Sequence, residues 1–238
     1  MFRKTQTQIS PAFTLLELLV VLVVVALLAA LLFPVLARSK AKAQQAACRT
    51  NLRELGFGFQ LYHADFDDQF PGPGSADQYG PQPEDWIWWQ YGRGVAKSTI
   101  GKYVGLFTPG LFTCPADRRA KTLQAQEYLR DEPYRYSYAL TSFDLTNGIN
   151  PGMATIITQD RVSYPFKVTS IRNLNLKMML VEEGDQTIDD PRWVPVGRGA
   201  NLVSGRHRGK GDITFADGHV DAVTPGFGTN LLNSIPTY

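Results

Sequence analysis

The chain of 238 residues is 44% hydrophobic and 19% charged, which allows one membrane segment with one domain, or at most two small domains. Its 24 basic and 22 acidic residues leave a formal charge of +2, and that excess lies in the first twelve residues, where Arg3 and Lys4 meet no acid. The remainder is balanced and has no basic patch interleaved with aromatics, so nucleic acid is not an expected partner.

From Leu18 to Ala37 no side chain is charged or polar. A run of about 20 apolar residues suffices for a helix to cross the hydrocarbon core of a bilayer. A secretory signal would have a shorter apolar core, with its small-residue cleavage site after that core. Here the small residue, Ala12, comes before it and is followed by Phe13-Thr14-Leu15-Leu16-Glu17. Glu17 is the odd residue, because a carboxylate at the entrance of a membrane helix is costly and usually has a specific partner.

This stretch resembles the type III signal of type IV pilins and type II secretion pseudopilins, a Gly followed by Phe-Thr-Leu-Ile-Glu and cut before the Phe. Four of the six positions are identical here, Leu16 stands for Ile, and Ala12 for Gly is the departure. The resemblance implies a cytoplasmic leader, residues 1–12, removed by a prepilin peptidase between Ala12 and Phe13. It further implies N-methylation of Phe13, an inner-membrane assembly platform as partner, and stacking of the helices of many pilin copies into a filament. Cutting there places a new α-amine four residues before Glu17. An amine and a carboxylate attract strongly in a low-dielectric medium, and each relieves the other's desolvation. Glu17 is accordingly expected to receive the amine of an incoming subunit.

Pro34 falls inside the apolar run and predicts a kink or local melting. Many bacterial pilins carry a proline at the equivalent place. Beyond Ala37 the helical period continues: Ala41, Gln45, Cys48, Leu52, Leu55, Phe59 and Tyr62 follow at alternating spacings of four and three. Lys42, Arg49, Arg53 and Glu54 lie off this stripe. The pattern predicts one helix from about Phe13 to Ala64, roughly 75–80 Å long at 1.5 Å per residue. Residues 13–37 would form its transmembrane part and 38–64 an amphipathic part packed under a head. Gly56 and Gly58 each cost a helix about 1 kcal/mol, which points to close approach of a strand or sheet. Arg38, Lys40 and Lys42 vote against a cytoplasmic N-terminus by the positive-inside rule, but the leader motif outweighs them.

The helix is expected to stop at the acidic Pro/Gly-containing stretch that includes Asp65, Asp67, Asp68, Pro71 and Gly72. These aspartates offer oxygen ligands for calcium, but the spacing is not that of an EF-hand, and solvated loop carboxylates are the expected reading. Trp86-Ile87-Trp88-Trp89 reads as a cover for the core of the head rather than a sugar-stacking platform. Met153–Ile157 and Lys177–Val181 read as strands. The clearest hairpin is 212–216 and 219–223, joined by Asp217-Gly218. Cys48 and Cys114 permit one disulfide if the head lies outside the cytoplasm.

A second resemblance rests on His207, nine residues, then Asp217-Gly218, together with Cys48 ahead of Asn51-Leu52 and Cys114-Pro115-Ala116-Asp117. This is similar to a prepilin-processing-associated family with a C-terminal His-x9-Asp-Gly signature, and it implies pilin-like architecture. The rival is a membrane-anchored extracytoplasmic binding protein or metal-dependent enzyme using His207, Asp217 and His219, with Glu182, Glu183 and Asp185 as further candidates. Two histidines and a carboxylate can hold zinc. Against it, Asp217 and His219 bracket a tight turn, and no His-Glu-x-x-His, Gly-x-Ser-x-Gly or Walker-type motif is present. His207 is read as bonding into the hairpin to fix its register. The expectation is therefore an α+β, pilin-like chain in a bacterial inner membrane. A long N-terminal helix carries an extracytoplasmic head, residues 65–238, with an antiparallel sheet. It has no catalytic site and no resident cofactor.

Overall fold

In the computed structural model one helix, α1, runs unbroken from Leu15 to Asp65. The structure describes residues 14–74, 80–90, 92–105, 110–118, 136–142, 152–157, 162–185, 187–188, 190–194 and 201–237. Thr14 starts α1 with a reciprocal cap. Its Oγ1 accepts the Glu17 N–H at 3.2 Å, and Glu17 Oε2 accepts the Thr14 N–H at 2.9 Å and its hydroxyl at 2.7 Å. Pro34 lies within the helix and does not end it.

The chain divides after Lys42 into two units. In the first, every Leu, Val and Phe from Leu15 to Leu36 is exposed. An 18-residue window there reaches a mean hydropathy of 3.2 with none of it buried. By length and composition this part of α1 can cross a membrane.

In the second unit, Cys48, Leu52, Leu55, Phe59 and Tyr62 are buried, as the stripe predicts, and Gly56, Gly58 and His63 join them. The strands are β1 (Tyr138–Thr141), β2 (Ile156–Ile157), β3 (Ser163–Tyr164), β4 (Met178–Glu182), β5 (Arg192–Trp193), β6 (Gly211–Phe215) and β7 (Val220–Val223). Five of them form one sheet in the order β5-β1-β4-β6-β7, and β2 pairs with β3 separately. The sheet is mixed, not antiparallel as expected, because β5 runs parallel to β1. A strand of two residues has no periodicity from which its direction can be read. Of the stretch expected as a strand at 153–157, only Ile156–Ile157 pairs.

The large sheet is covered on both faces. Tyr138, Leu140 and Leu180 join the α1 stripe, Trp86, Trp89 and Phe112 in one apolar cluster. Ala139, Val181, Trp193, Ile213 and Phe215 form a second. Gly56 lets α1 lie against β6: a Cβ there would sit 2.9 Å from Thr214 Cγ2. Thr214 Oγ1 also donates to Leu52 O at 3.1 Å. Trp86 and Trp89 are buried, with indole N–H groups bonded to Pro191 O and Gly74 O, so they serve the core and offer no stacking platform.

The β6–β7 hairpin forms, with a loop one residue longer than expected. Thr214 pairs with Val220, and the Phe215 N–H bonds to His219 O at 2.9 Å. Ala216, Asp217 and Gly218 therefore make a three-residue loop, with Gly218 at φ +91, a conformation glycine adopts without strain.

Candidate functional site

His207 is presented by a tight turn immediately before β6. Its N–H bonds to Lys210 O at 3.0 Å, and Arg208 and Gly209 between them have positive φ. The turn aims the imidazole away from the hairpin loop and toward α1. Its side chain is 2% exposed, and Nε2 lies 3.1 Å from Glu182 Oε1 and 3.4 Å from Cys114 Sγ. Cys114 is joined to Cys48 in a disulfide with Cα atoms 5.0 Å apart. Between a carboxylate and a disulfide sulfur, Nε2 is best used as a proton donor to Glu182.

Glu182 closes β4, where strand and loop chains converge. Its Oε1 also accepts Arg206 Nη1 at 3.1 Å, and its Oε2 accepts the Asp212 N–H at 2.9 Å. Arg206 reaches on to Glu183 O at 2.9 Å, to the Asp185 carboxylate, and to Asp117 at 3.7 Å. Burial opposes the Arg206 charge, but Glu182, Asp117 and Asp185 outweigh it and hold its pKa above the usual value. Asp117 accepts the Ser137 hydroxyl at 2.7 Å, and that hydroxyl accepts the Cys114 N–H at 3.0 Å.

Asp212, on β6, faces α1. Its Oδ1 accepts Arg49 Nε at 2.9 Å and Gln45 Nε2 at 3.3 Å. Its Oδ2 is buried without a hydrogen-bond partner, 3.7 Å from His207 Nε2. Burial pushes the Asp212 carboxyl up, and the Arg49 bond opposes that shift. Asn51 completes the attachment of α1, donating to Gly110 O at 3.0 Å and Thr113 O at 3.1 Å. The cluster thus ties α1, the Cys114 loop, β4 and β6 together with one covalent bond and a buried network of paired charges. Closing a loop of 66 residues is worth about 4 kcal/mol in the chain-entropy account.

His207 does not hydrogen-bond into the hairpin as expected: its Nε2 bonds to Glu182 of β4 and lies 3.4 Å from Cys114 Sγ, with Asp212 of β6 at 3.7 Å. The rival site of His207 with Asp217 and His219 is not assembled, because β6 separates them. His207 precedes its start and Asp217 follows its end. Asp217 Oδ1 instead accepts the His219 N–H at 3.1 Å and sits 2.6 Å from its Nδ1, while that imidazole stacks on Phe215. Gln60 of α1 donates to Asp217 O at 3.3 Å. Asp65 and Asp67 are taken by different partners, Tyr103 at 2.9 Å and Lys167 at 2.5 Å. Among the described residues, Cys48, Cys114, Glu182 and His207 bring four donor atoms within 4.8 Å of one another, the two sulfurs being joined in the disulfide.

Sequence reasoning named Cys48, Cys114, His207 and Glu182 but missed Arg49, Arg206 and Asp212. Their only signal was position: Arg206 adjoins His207, and Asp212 begins the alternation of β6. At the other end of α1, Glu17 is held by Thr14, while Ala12 and Phe13 lie outside the described residues. No protein-family model, curated protein or solved structure matches the chain.

Proposed function

We propose that the chain is a structural subunit of a type IV pilus-like or type II secretion pseudopilus filament. In this reading it is inserted in the inner membrane with its N-terminus in the cytoplasm, cut before Phe13, and assembled through α1. The observation that carries the proposal is the motif Phe13-Thr14-Leu15-Leu16-Glu17 directly ahead of an apolar helix whose side chains are exposed all round. Such a surface needs lipid or other helices against it.

Glu17 has a defined part in this reading. Both Thr14 bonds fall on Oε2. The other oxygen is left to receive the methylated amine of an incoming subunit, pairing two charges that are each costly alone in hydrocarbon. The cap also supports the charge, since the first N–H groups of a helix favour a carboxylate.

The test is to express Glu17→Val and the unaltered chain beside a complete assembly system. The variant is expected at unchanged level in the membrane fraction, with filaments sheared from the cells reduced to background. Mass spectrometry of the unaltered chain is expected to find methyl-phenylalanine, from Phe13, at the N-terminus. Normal filament incorporation of Glu17→Val, or an intact leader on assembled subunits, would overturn the proposal.

A further inference from the structure

We propose that, before the disulfide forms, Cys48, Cys114, His207 and Glu182 hold one zinc ion. The ion would link α1 to the head in the way the S–S bond later does. The proposal concerns the head alone and stands apart from the filament reading.

The donor atoms of these four buried side chains all lie within 4.8 Å of one another. His207 Nε2 is 3.4 Å from Cys114 Sγ and 3.1 Å from Glu182 Oε1. Zinc takes thiolate sulfur at about 2.3 Å and imidazole nitrogen or carboxylate oxygen at about 2.0–2.2 Å, so neighbouring donors of a tetrahedral site are roughly 3.3–3.8 Å apart. The nitrogen–sulfur and nitrogen–oxygen edges are near that size. The remaining donor pairs lie within 4.8 Å, and the two sulfurs, joined in the disulfide, must part for both to reach one ion. Two thiolates, an imidazole and a carboxylate form a set that suits zinc by softness and number.

The surroundings also fit a metal. Glu182 is oriented by Arg206 and by the Asp212 N–H, the outer support that ligand carboxylates generally have. Asp212 Oδ2 is buried, has no partner and lies 3.7 Å from Nε2, so a second carboxylate faces the same point. Charge is conserved between the two states. A divalent ion cancels two thiolates, leaving the cluster with the formal charge it has as a disulfide. Without metal, burial and the neighbouring carboxylates of Glu182 and Asp212 keep both thiols protonated, so the dithiolate forms only with the ion.

The steps balance. Two thiols and Zn²⁺ give a zinc dithiolate and two protons, and the imidazole proton moves to Nδ1 so that Nε2 can ligate. A disulfide oxidant, R–S–S–R, then accepts the two electrons of the thiolates. The Cys48–Cys114 bond forms, R–S–S–R leaves as two thiolates, and Zn²⁺ is released.

The experiment uses the full chain in detergent, purified under a phosphine reductant without oxygen, exposed to Zn²⁺ and desalted. About one zinc per chain is expected by elemental analysis, and none after oxidised glutathione has closed the disulfide. Cobalt in place of zinc should give tetrahedral d–d bands with a thiolate charge-transfer band. His207→Ala and the double variant Cys48→Ser, Cys114→Ser should lose the metal, and Asp212→Asn should weaken it by about 10- to 100-fold. Should a variant fail to fold by circular dichroism, the cobalt spectrum of the unaltered chain decides. Failure of the reduced chain to take up zinc, a cobalt spectrum without sulfur ligation, or full occupancy in the cysteine-free variant overturns the proposal.

Discussion

His207 Nε2 lies 3.4 Å from Cys114 Sγ, although 93 residues separate the two in the chain. The contact places the hydrogen-bond donor to Glu182 beside the disulfide that joins α1 to the Cys114 loop, so the cross-link and the charge network act on the same packing.

The first prediction concerns that cross-link. Cys48→Ser with Cys114→Ser should lower the unfolding free energy of the head by roughly 2–5 kcal/mol. Urea denaturation in detergent, with and without reductant, measures it. Reductant should shift the midpoint of the unaltered chain and leave that of the variant in place. A native mass showing two free thiols would contradict the bond itself.

Arg206 joins three carboxylates, and its own side chain is only 7% exposed. Arg206→Met keeps the volume and removes the cation. Leaving Glu182 and Asp117 buried without it should cost on the order of 3 kcal/mol. The same denaturation assay reads this, and a change near zero would mean that the network contributes no net stability.

Gly56 tests the approach of α1 to β6. Alanine favours a helix by about 1 kcal/mol over glycine. Yet its Cβ would lie 2.9 Å from Thr214 Cγ2, too close without a shift. Gly56→Ala should therefore destabilise, on the order of 1–2 kcal/mol. Adding Thr214→Ser removes the methyl and keeps the hydroxyl that bonds Leu52 O, so the double variant should recover most of the loss. Additive losses would place the cause elsewhere.

Asp85 gives a pH dependence. Its carboxylate accepts the Gln82 N–H at 2.7 Å and the Gly74 N–H at 3.2 Å, with Arg93 at 3.9 Å. Burial pushes its pKa up to about 7 from 3.8, against those bonds and the Arg93 charge. The folded state thus holds a proton that the unfolded state has lost between those values. The contribution to stability is fully present below about pH 3.8 and is lost as pH rises through about 7. The limiting slope for one proton is about 1.4 kcal/mol per pH unit. Asp85→Asn should abolish this component, seen as a flatter dependence of the denaturation midpoint from pH 5 to 7. Parallel curves for the two proteins would refute it.

Local patterns carried much of this fold. The α1 stripe was readable because buried positions recur at helical spacing, and five of its seven residues are buried in the structure. The β6–β7 hairpin is readable from alternation, but the expected two-residue turn is one residue short of the loop, since Gly218 also serves as the left-handed end of a three-residue loop. The meeting of His207 with the disulfide has no local signature, because it depends on the order of strands and on which turn faces α1. Arg49, Arg206 and Asp212 were missed for a related reason. A charged residue looks solvated in sequence, and only its partner reveals otherwise: the Arg206 and Asp212 side chains are buried, and Arg49 is half-buried against Asp212.

Cys48 is the first buried residue of α1 in chain order, ahead of Leu52, Leu55 and Phe59. A pull entering α1 from its N-terminal side would therefore meet the S–S bond before it could peel any of the apolar contacts. The head is thereby built as a mechanical stop. Tension is passed through a covalent bond into the Cys114 loop, and the helix cannot be drawn out of its packing one turn at a time.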